Sequence, residues 1–472
     1  VDDMLNKLPS EVWYNPDLKW LDPAVGIGNF PVKVYEKLLD GLKDKIPDEE
    51  ARRKHILEKM LYMVEVSEKS IFILNKVFCG IDGGGQYKLN IFHGSFVENK
   101  DTKEGIYNLF ESFEDGTSMF DIVMGNPPYQ FSHGSGNPVY QHFALRGIDL
   151  LNNNGKLCLI IPVGWKKYFS GDKRETAITY STLKKYELYS LNMNIEIEHF
   201  PPVDYFVIIK NKNIIKTNVN CHFNNKIYKS NIIISNLPFI PLLLNGTSIK
   251  IINILLNAEG SKIDFKYPVS KLPGISDRSK IETGDFIYPH IHLLDNKGIG
   301  ELLYFKNKKE IFNSKKVIIN ILNTIKNPPL YPFIDKNGEY GTTQRNVIMN
   351  GDDNTVTTVK YLLESKLIKF ILKITQYSSG MYKQNEYKIL NLITYPDKPL
   401  KTDQEIYEYY GINKTEQKLI EEIVDFSEKS KPKVTKSQKP HEQKPEPKPE
   451  PKPEQKPEPK PEPKPEPKPE PK

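Results

Sequence analysis

Hydrophobic and polar positions follow two different rhythms between Trp20 and about Lys210. Short apolar runs, typical of strands, are KWLDP, MLYMVEV, KLNIFHG, FDIVMG and KLCLIIPV. The stretches between them carry apolar residues at helical spacing, as in PVKVYEKLLDGL. Two later runs, NIEIEHF and VDYFVIIKN, predict a closing pair of strands. Strands separated by helices predict an α/β fold with a mostly parallel sheet and helices on both faces.

The pattern changes after residue 211 and divides the chain into three predicted parts. Residues 1–211 carry the strand–helix rhythm, whereas residues 212–426 combine β-rich runs with glycine-bearing turns in a mixed αβ domain. The end of this second domain becomes helical, in VKYLLESKLIKFILKI and KTEQKLIEEIV. Residues 427–472 hold 13 Lys, 9 Glu and 15 Pro with almost no apolar side chain, so we expect a disordered Lys/Pro/Glu-repeat tail.

The charge of the chain is concentrated in this tail. The 472 residues have a formal net charge of +6, which falls to +2 when the tail is left out. A nucleic-acid surface on the folded part must therefore be a local patch, since net charge alone does not indicate one.

Cysteine, histidine and apolar patterns exclude several classes of protein. Cys79, Cys158 and Cys221 lie in or beside apolar runs at wide spacing, which indicates buried thiols rather than a disulfide framework. The nine His show no ligand spacing with Cys or acids, so we expect no metal. No apolar run approaches the ~18 residues of a membrane helix, and no signal peptide opens the chain. We expect an intracellular protein, cytoplasmic or with the nucleoid or nucleus, that is not secreted and has no membrane partner.

The stretch DIVMGNPPYQ carries the strongest candidate chemistry. The fourth predicted strand ends at the carboxyl edge of the sheet, where open α/β sheets bind ligands. The next four residues are Asn126, Pro127, Pro128 and Tyr129. Both prolines lack an N–H and fix the local backbone, so carbonyl oxygens are held rigidly beside an amide oxygen and a ring. This arrangement suits a planar group with an amino nitrogen, such as a base or a carboxamide, and a plain turn is the alternative.

The stretch LDPAVGIGNF is the second candidate. Asp22 and Pro23 end the first strand, and Gly26 and Gly28 allow a tight turn with close backbone approach to a ligand. Glu65 ends the second strand and is placed to accept hydrogen bonds from ribose hydroxyls, although a solvent-facing charge is an equal alternative. The third glycine of a pyrophosphate fingerprint is absent, which favours S-adenosylmethionine over NAD.

DPAVGIGNF, VEVSEKS and GNPPYQ, in this order, resemble the adenine-N6 DNA methyltransferases of restriction–modification systems. The order of cofactor motif, catalytic motif and target-recognition region is similar to that of the gamma class. The resemblance spans residues 1–426 and implies a Rossmann-like S-adenosylmethionine-dependent methyltransferase domain before a target-recognition domain. The opening VDDMLNKLP resembles the end of the motif that precedes the cofactor loop, so we expect further sequence before Val1.

The resemblance also implies roles for single residues. Asn126 and the Pro127 carbonyl would hold the target amine, with Tyr129 stacked on a flipped base. Glu65 would bind the cofactor ribose. Ser95 stands where the family often has an acid for the adenine amine of the cofactor, and its hydroxyl can still accept a hydrogen bond. A second stacking ring is expected in FPPVDYFVI, from Phe200, Tyr205 or Phe206, although core packing is the alternative for at least two of them.

Recognition of a sequence must come from the second predicted domain. Side chains that could read base edges there are Arg278, Gln344 and Arg345, since Arg pairs with guanine and Gln with adenine. Surface solvation is the alternative for each. The expected partners are double-stranded DNA and a cognate restriction endonuclease, and we expect a monomer.

The function predicted is site-specific transfer of a methyl group from S-adenosylmethionine to the N6 amine of a flipped adenine in double-stranded DNA. One alternative is an enzyme with the same motif that acts on RNA adenine or on protein glutamine. Another is a combined enzyme whose nuclease precedes Val1. The third is a catalytically silent DNA-binding homologue.

Overall fold

A nine-stranded sheet organises the first half of the chain. The computed structural model describes residues 1–80, 87–97, 119–130, 139–167, 175–197, 200–213, 215–266, 277–307, 312–321, 330–377 and 388–429. The strands are β1 (Trp20–Asp22), β2 (Leu61–Glu65), β3 (Asn90–His93), β4 (Phe120–Gly125), β5 (Leu151–Pro162), β6 (Glu187–Ile197), β7 (Phe200–Ile209), β8 (Thr217–Phe223) and β9 (Lys226–Ile232). Their spatial order is β3-β2-β1-β4-β5-β7-β6-β8-β9.

Most neighbouring strands of this sheet are parallel. The pairs β3–β2, β2–β1, β1–β4, β4–β5 and β6–β8 are parallel, whereas β7 is antiparallel to both β5 and β6. The carboxyl ends of β1 to β6 and of β8 therefore share one edge with the beginning of β7. All seven strands predicted before residue 211 are present, and the prediction of a mostly parallel sheet is confirmed.

Consecutive residues of a strand point to opposite faces of the sheet, so each face has its own apolar side chains, and helices cover both faces. Trp20 and Ile122 face one core with helix α2 (Asn29–Gly41), and Leu21 and Val123 face the other with helix α5 (Tyr140–Leu150). The remaining helices of this half are α1 (Asp2–Leu5), α3 (Glu49–His55), α4 (Glu68–Cys79) and α6 (Glu175–Leu183).

The sheet continues past the predicted domain boundary at residue 211. Strand β8 pairs with β6, with Ser190 opposite Asn218, and β9 pairs with β8 at the edge. The division into residues 1–211 and 212–426 stays a prediction, while the sheet itself uses strands from both.

The second half of the chain has mixed αβ character. After α7 (Gly246–Asn257), one sheet has the order β10-β12-β11-β15 and another β14-β13-β16. These strands are β10 (Arg278–Ser279), β11 (Tyr288–Asp295), β12 (Gly298–Phe305), β13 (Lys316–Asn320), β14 (Phe333–Asp335), β15 (Gly341–Thr342) and β16 (Asn346–Asn350). The predicted helical end is confirmed by α8 (Asp353–Glu364), α9 (Lys366–Ile374), α10 (Asp403–Tyr410) and α11 (Lys414–Lys429). The predicted tail lies outside the described residues from 430 onward.

A buried ion pair joins the end of β5 to the β6–β7 hairpin. Lys166 and Asp204 are both fully buried, with Nζ 2.9 Å from Oδ2. The same Asp204 carboxylate accepts hydrogen bonds from Trp165 Nε1 at 2.8 Å and from the Asn194 N–H at 2.9 Å. Each ion keeps hydrogen-bond partners, which is the condition under which a buried charge is tolerated. The segment after β5 is thereby tied to β6 and β7.

The cysteines are free thiols, as predicted. Cys158 and Cys221 are buried and Cys79 is half-buried. Among the helices of the described ranges, none combines the length and the apolar character needed to cross a membrane.

Candidate functional site

The glycine turn after β1 is anchored to the end of β2. Gly26 has a φ of 58°, in the left-handed region that glycine adopts without strain. Its N–H donates to Glu65 Oε2 at 2.8 Å, and the Val25 N–H donates to the Val64 carbonyl at 3.1 Å. The predicted tight turn is present, and Glu65 fixes it from the neighbouring strand.

The Glu65 carboxylate is buried and accepts more than one backbone donor. Its Oε1 accepts hydrogen bonds from the N–H groups of Val66 at 3.0 Å and Ser67 at 2.8 Å. A carboxylate has about four acceptor positions, so three are filled and about one is left for a ligand hydroxyl. Glu65 therefore holds the glycine turn through backbone hydrogen bonds and is not a solvent-facing charge. Its contact with a ribose stays a prediction.

Two glycines let the backbone pass closely between the motifs. A Cβ at Gly28 would lie 2.8 Å from Leu74 Cδ2, and one at Gly125 would lie 2.8 Å from Asp22 Oδ1. Because Gly125 directly precedes Asn126, the second contact brings the cofactor loop against the catalytic motif. A side chain at Gly28 would have to displace the end of Leu74, and one at Gly125 the Asp22 carboxylate.

Asp22 is a buried acid at this junction. Its Oδ1 accepts a hydrogen bond from the Ala24 N–H at 3.0 Å, while Oδ2 is covered and has no hydrogen-bond partner among the described residues. Burial, with a smaller contribution from Glu65, raises the pKa of Asp22 to about 7, against the hydrogen bond that lowers it. Near neutral pH this carboxyl can therefore carry a proton or a charge.

The NPPY motif presents its groups at the end of β4. Asn126 and Pro128 are exposed, Pro127 is buried, and Tyr129 is half-buried against the core. The Tyr129 carbonyl accepts the Val139 N–H at 3.2 Å, and burial raises the pKa of the Tyr129 phenol. The motif thus leaves the Asn126 amide open to a ligand and keeps the tyrosine ring in a supported position.

Four of the predicted residues line one cleft of about 240 Å³, whereas Asp22, Gly26, Gly28, Asn126, Pro127 and Tyr129 are not part of its lining. Pro23 from the end of β1, Glu65 from the end of β2 and Ser95 from the end of β3 meet Pro128 of the catalytic motif there. The Ser95 Oγ accepts the Val97 N–H at 3.3 Å. The structure therefore brings the two motifs of the sequence into a single site.

Sequence reasoning missed the aromatic wall of this cleft. Phe96 and Phe143 both line it, with ring centroids 5.1 Å apart. The Arg146 guanidinium lies 5.4 Å from the Phe96 ring. Phe96 directly follows Ser95, so its place after the third strand was a signal, whereas Phe143 reaches the cleft only through the packing of α5. Both rings are almost fully buried, so they form an apolar support behind the cleft rather than an open stacking surface.

Phe206 takes the alternative role of core packing that was expected for at least two of the three aromatic candidates. Phe206 is fully buried against Trp165, with ring centroids 4.9 Å apart. Tyr205 is half-buried on the opposite face of the sheet and packs on the other core. Phe200 is 63% exposed at the beginning of β7, on the edge that carries Asn126. Of the three aromatic candidates, Phe200 is the one with an available ring, and its role stays a prediction.

Two of the three candidate base readers act on one histidine. Arg278 lies on β10, and Gln344 and Arg345 lie between β15 and β16. Burial first, and then the positive charges of Arg345, Arg278 and Lys280, lower the pKa of His292 on β11, against the Glu301 carboxylate, which raises it. His292 Nδ1 lies 3.0 Å from Thr343 Oγ1. The fold thus brings two distant arginines to one surface, and reading of bases by these residues stays a prediction.

The sheet, the glycine turn and the catalytic motif define a class: this is the Rossmann-like α/β fold of methyltransferases. Residues 59–191 match the model of the Eco57I restriction-modification methylase family. The matched segment contains Glu65 and all of Asn126–Tyr129. The resemblance to restriction–modification methylases is therefore confirmed over these residues.

Single relatives are more distant. An uncharacterized adenine-specific methylase from Mycoplasma pneumoniae is 28% identical over 214 residues, covering 33% of this chain and 50% of the relative. The chain thus spans about half the length of that curated relative. The Type IIL restriction-modification enzyme MmeI in complex with DNA is 12% identical. The match covers 92% of this chain and 74% of the MmeI chain, with a TM-score of 0.43. The Type ISP restriction-modification enzyme LlaBIII bound to DNA is also 12% identical. The match covers 74% of this chain and 32% of LlaBIII, with a TM-score of 0.46. The TM-scores are low, so neither superposition carries an argument.

The raised pKa of Asp22 predicts a pH-dependent cost to stability. Ionisation of the buried carboxyl is unfavourable, so this cost is absent below pH 3.8, grows as pH rises and is complete above about pH 7. Asp22→Asn removes it and should gain up to ~4 kcal/mol on the wild type between pH 4 and pH 8. Urea denaturation of both proteins at several pH values measures the difference. A difference that does not change with pH would contradict the assignment.

The burial of Phe206 and the exposure of Phe200 predict opposite effects of the same substitution. Phe206→Ala should lower the free energy of unfolding by about 3–5 kcal/mol, because it leaves a cavity in the core. Phe200→Ala should change it by no more than ~0.5 kcal/mol. Chemical denaturation followed by circular dichroism compares the two variants. An equal loss of unfolding free energy in both variants would contradict a buried Phe206 and an exposed Phe200.

Proposed function

We propose that this chain is a site-specific DNA methyltransferase that transfers a methyl group from S-adenosylmethionine to the N6 amine of adenine in double-stranded DNA. The observation that carries the proposal is the shared cleft. Pro23, Glu65 and Ser95 line it together with Pro128, the residue that follows Asn126 and Pro127, and this supports a nucleoside site next to the catalytic motif. The family match over residues 59–191 supports the same reaction class.

The residues of the cleft fit S-adenosylmethionine. Glu65 offers its remaining acceptor position to a ribose hydroxyl, and the buried rings of Phe96 and Phe143 make the neighbouring wall of the cleft apolar. When bound, this cofactor supplies a methyl group on a positively charged sulfur, which an amine lone pair can attack.

Positioning and electrostatics account for the role of the catalytic motif. The Asn126 amide oxygen and the Pro127 carbonyl would accept both hydrogens of the adenine amine. This draws the nitrogen toward tetrahedral geometry and frees its lone pair. Flipping the base costs a few kcal/mol, and stacking on Tyr129 returns ~1–3 kcal/mol. The amine can release its proton after transfer, so no general base of raised pKa is needed.

The second half of the chain would supply recognition of the DNA sequence. Arg345, Arg278 and Lys280 act on His292 together with the acid Glu301, and the two arginines of this mixed surface would contact the DNA. Each strand can be methylated separately, so a monomer suffices. A restriction endonuclease is the cognate partner that this function implies.

Mass spectrometry of reaction products tests the proposal. The chain is incubated with S-adenosylmethionine and either unmethylated DNA or RNA, and the polymers are digested to nucleosides. N6-methyladenine in DNA alone is the expected result. Methylation of RNA alone would replace the substrate, and cofactor binding without methylation of either polymer would make protein glutamine the next substrate to test.

Asn126→Ala should abolish methyl transfer while leaving cofactor affinity within about twofold, because Asn126 contacts the target amine and does not line the cofactor cleft. The loss should exceed a hundredfold, the scale of removing an aligned electrostatic contact. Asn75→Ala, on the exposed side of α4, is the matched control and should retain full activity. Methyl transfer and isothermal titration with the cofactor are measured together. Undiminished turnover in Asn126→Ala would rule out the assigned role.

Arg278→Ala and Arg345→Ala should relax the recognised sequence. Loss of a two-point contact to a guanine costs about 1–3 kcal/mol of discrimination against the wrong base. Lys297→Ala is the control, because Lys297 is exposed at the turn between β11 and β12 and is not one of the charges that act on His292. Sequencing of methylated sites after reaction on a random DNA library measures the change. Uniform weakening on all sequences would instead indicate that the arginines contact phosphates.

A further inference from the structure

A second cleft opens on the sheet edge that carries Asn126, where β6 and β8 end. Its volume is about 720 Å³, within the ~300–1,000 Å³ typical of ligand sites. Polar side chains of its lining include His222, Asn224, Asn225 and Gln376. Among the described residues, the lining shares none with the first cleft. The second cleft is therefore a separate site.

The sheet determines how far this cleft lies from the catalytic motif. From β4 the order runs through β5, β7, β6 and β8, so the cleft is three to four strand spacings from Asn126. At about 4.8 Å per spacing this distance is about 14–19 Å. A DNA strand rises about 3.4 Å per nucleotide, so the cleft lies about four to six positions from a base held at Asn126.

The floor of the second cleft is rigid. Asn194 lines it, and its Nδ2 donates to the carbonyls of His222 at 2.9 Å and Leu242 at 2.6 Å. Its Oδ1 accepts from Lys166 Nζ at 3.0 Å, which extends the buried Lys166–Asp204 pair to the cleft. A site supported by locked neighbours can hold a ligand without first being ordered by it.

One amide in the wall lacks a partner. Asn224 and Asn225 form the turn between β8 and β9, with φ of 49° and 59°, and asparagine tolerates this conformation. The turn explains the residue type but leaves the Asn224 side chain unexplained. Its Nδ2 is covered and has no hydrogen-bond partner in the described part of the chain. A covered donor of this kind is unfavourable unless a ligand brings an acceptor.

The lining has the chemistry of base recognition. Amide and imidazole groups present both donors and acceptors, and Asn and Gln match adenine. Lys226 at the rim is 61% exposed and can reach a phosphate, although it also pairs with Glu422. Glu196 lies in the same lining, so the cleft is not simply a cationic attractor. We propose that this second cleft holds the nucleotides about four to six positions from the target base in the same DNA.

This inference rests on the proposed function, and its test uses variants that preserve the fold. Asn224→Gly and Asn225→Gly keep the left-handed turn, and Gln376→Met keeps the side-chain length. Asn154→Gly is the matched control, because Asn154 has a φ of 62° near the beginning of β5, on the opposite edge of the sheet. Thermal unfolding and cofactor titration should be unchanged in all these proteins.

Fluorescence anisotropy measures binding to an unmethylated duplex that carries the sequence methylated by the wild type. The triple variant Asn224→Gly/Asn225→Gly/Gln376→Met should bind at least tenfold more weakly and lose sensitivity to base changes four to six positions from the target. The Asn154→Gly control should bind within twofold of the wild type. Lys226→Gln should lower the salt slope, the steepness with which the logarithm of the binding constant falls with the logarithm of salt concentration, by about one.

The outcomes separate the inference from the proposed function. A triple variant that binds DNA within twofold of the wild type would overturn the inference and leave methylation intact. An unchanged salt slope in Lys226→Gln would overturn the phosphate contact. If the triple variant is unstable, the salt slope of Lys226→Gln becomes the test of whether DNA occupies the second cleft. A wild-type chain that binds cofactor but neither binds nor methylates DNA would overturn both.

Discussion

The Glu65 carboxylate is the interaction on which the first cleft depends. It accepts N–H groups from Gly26 in the cofactor loop and from Val66 and Ser67 after β2. Without it, these donors would be left unpaired at a partly buried strand end, which is unfavourable. The loop that it closes then packs Asp22 against Gly125, so one acid indirectly aligns the cofactor loop with the catalytic motif.

A second acid plays a comparable part further along the same edge. Asp204 pairs with Lys166 and accepts from Trp165 and Asn194, so it joins the segment after β5 to β6 and β7. Through Asn194 this buried network reaches the second cleft. A sheet edge built in this way can present several contacts to one extended ligand.

Local pattern was sufficient for the strands and for the first site. Asp22, Glu65 and Asn126 each directly follow or end an apolar run, and the carboxyl ends of parallel strands must meet at one edge. Their convergence could therefore be predicted. Phe206 could not be assigned in the same way, because adjacent residues of a strand point to opposite faces and the sequence does not say which face is covered.

The sequence by itself determined which candidate functional features follow successive strands: a glycine turn after the first, an acid at the end of the second and an Asn-Pro-Pro-Tyr motif after the fourth. These features depend on neighbours close in the chain, which local backbone preferences control. The tertiary structure alone decided that Phe143 joins the cleft, that Arg278 approaches Arg345, and that a second cleft forms beside β8. Those contacts join residues far apart in sequence, and long-range packing, rather than local pattern, brings them together.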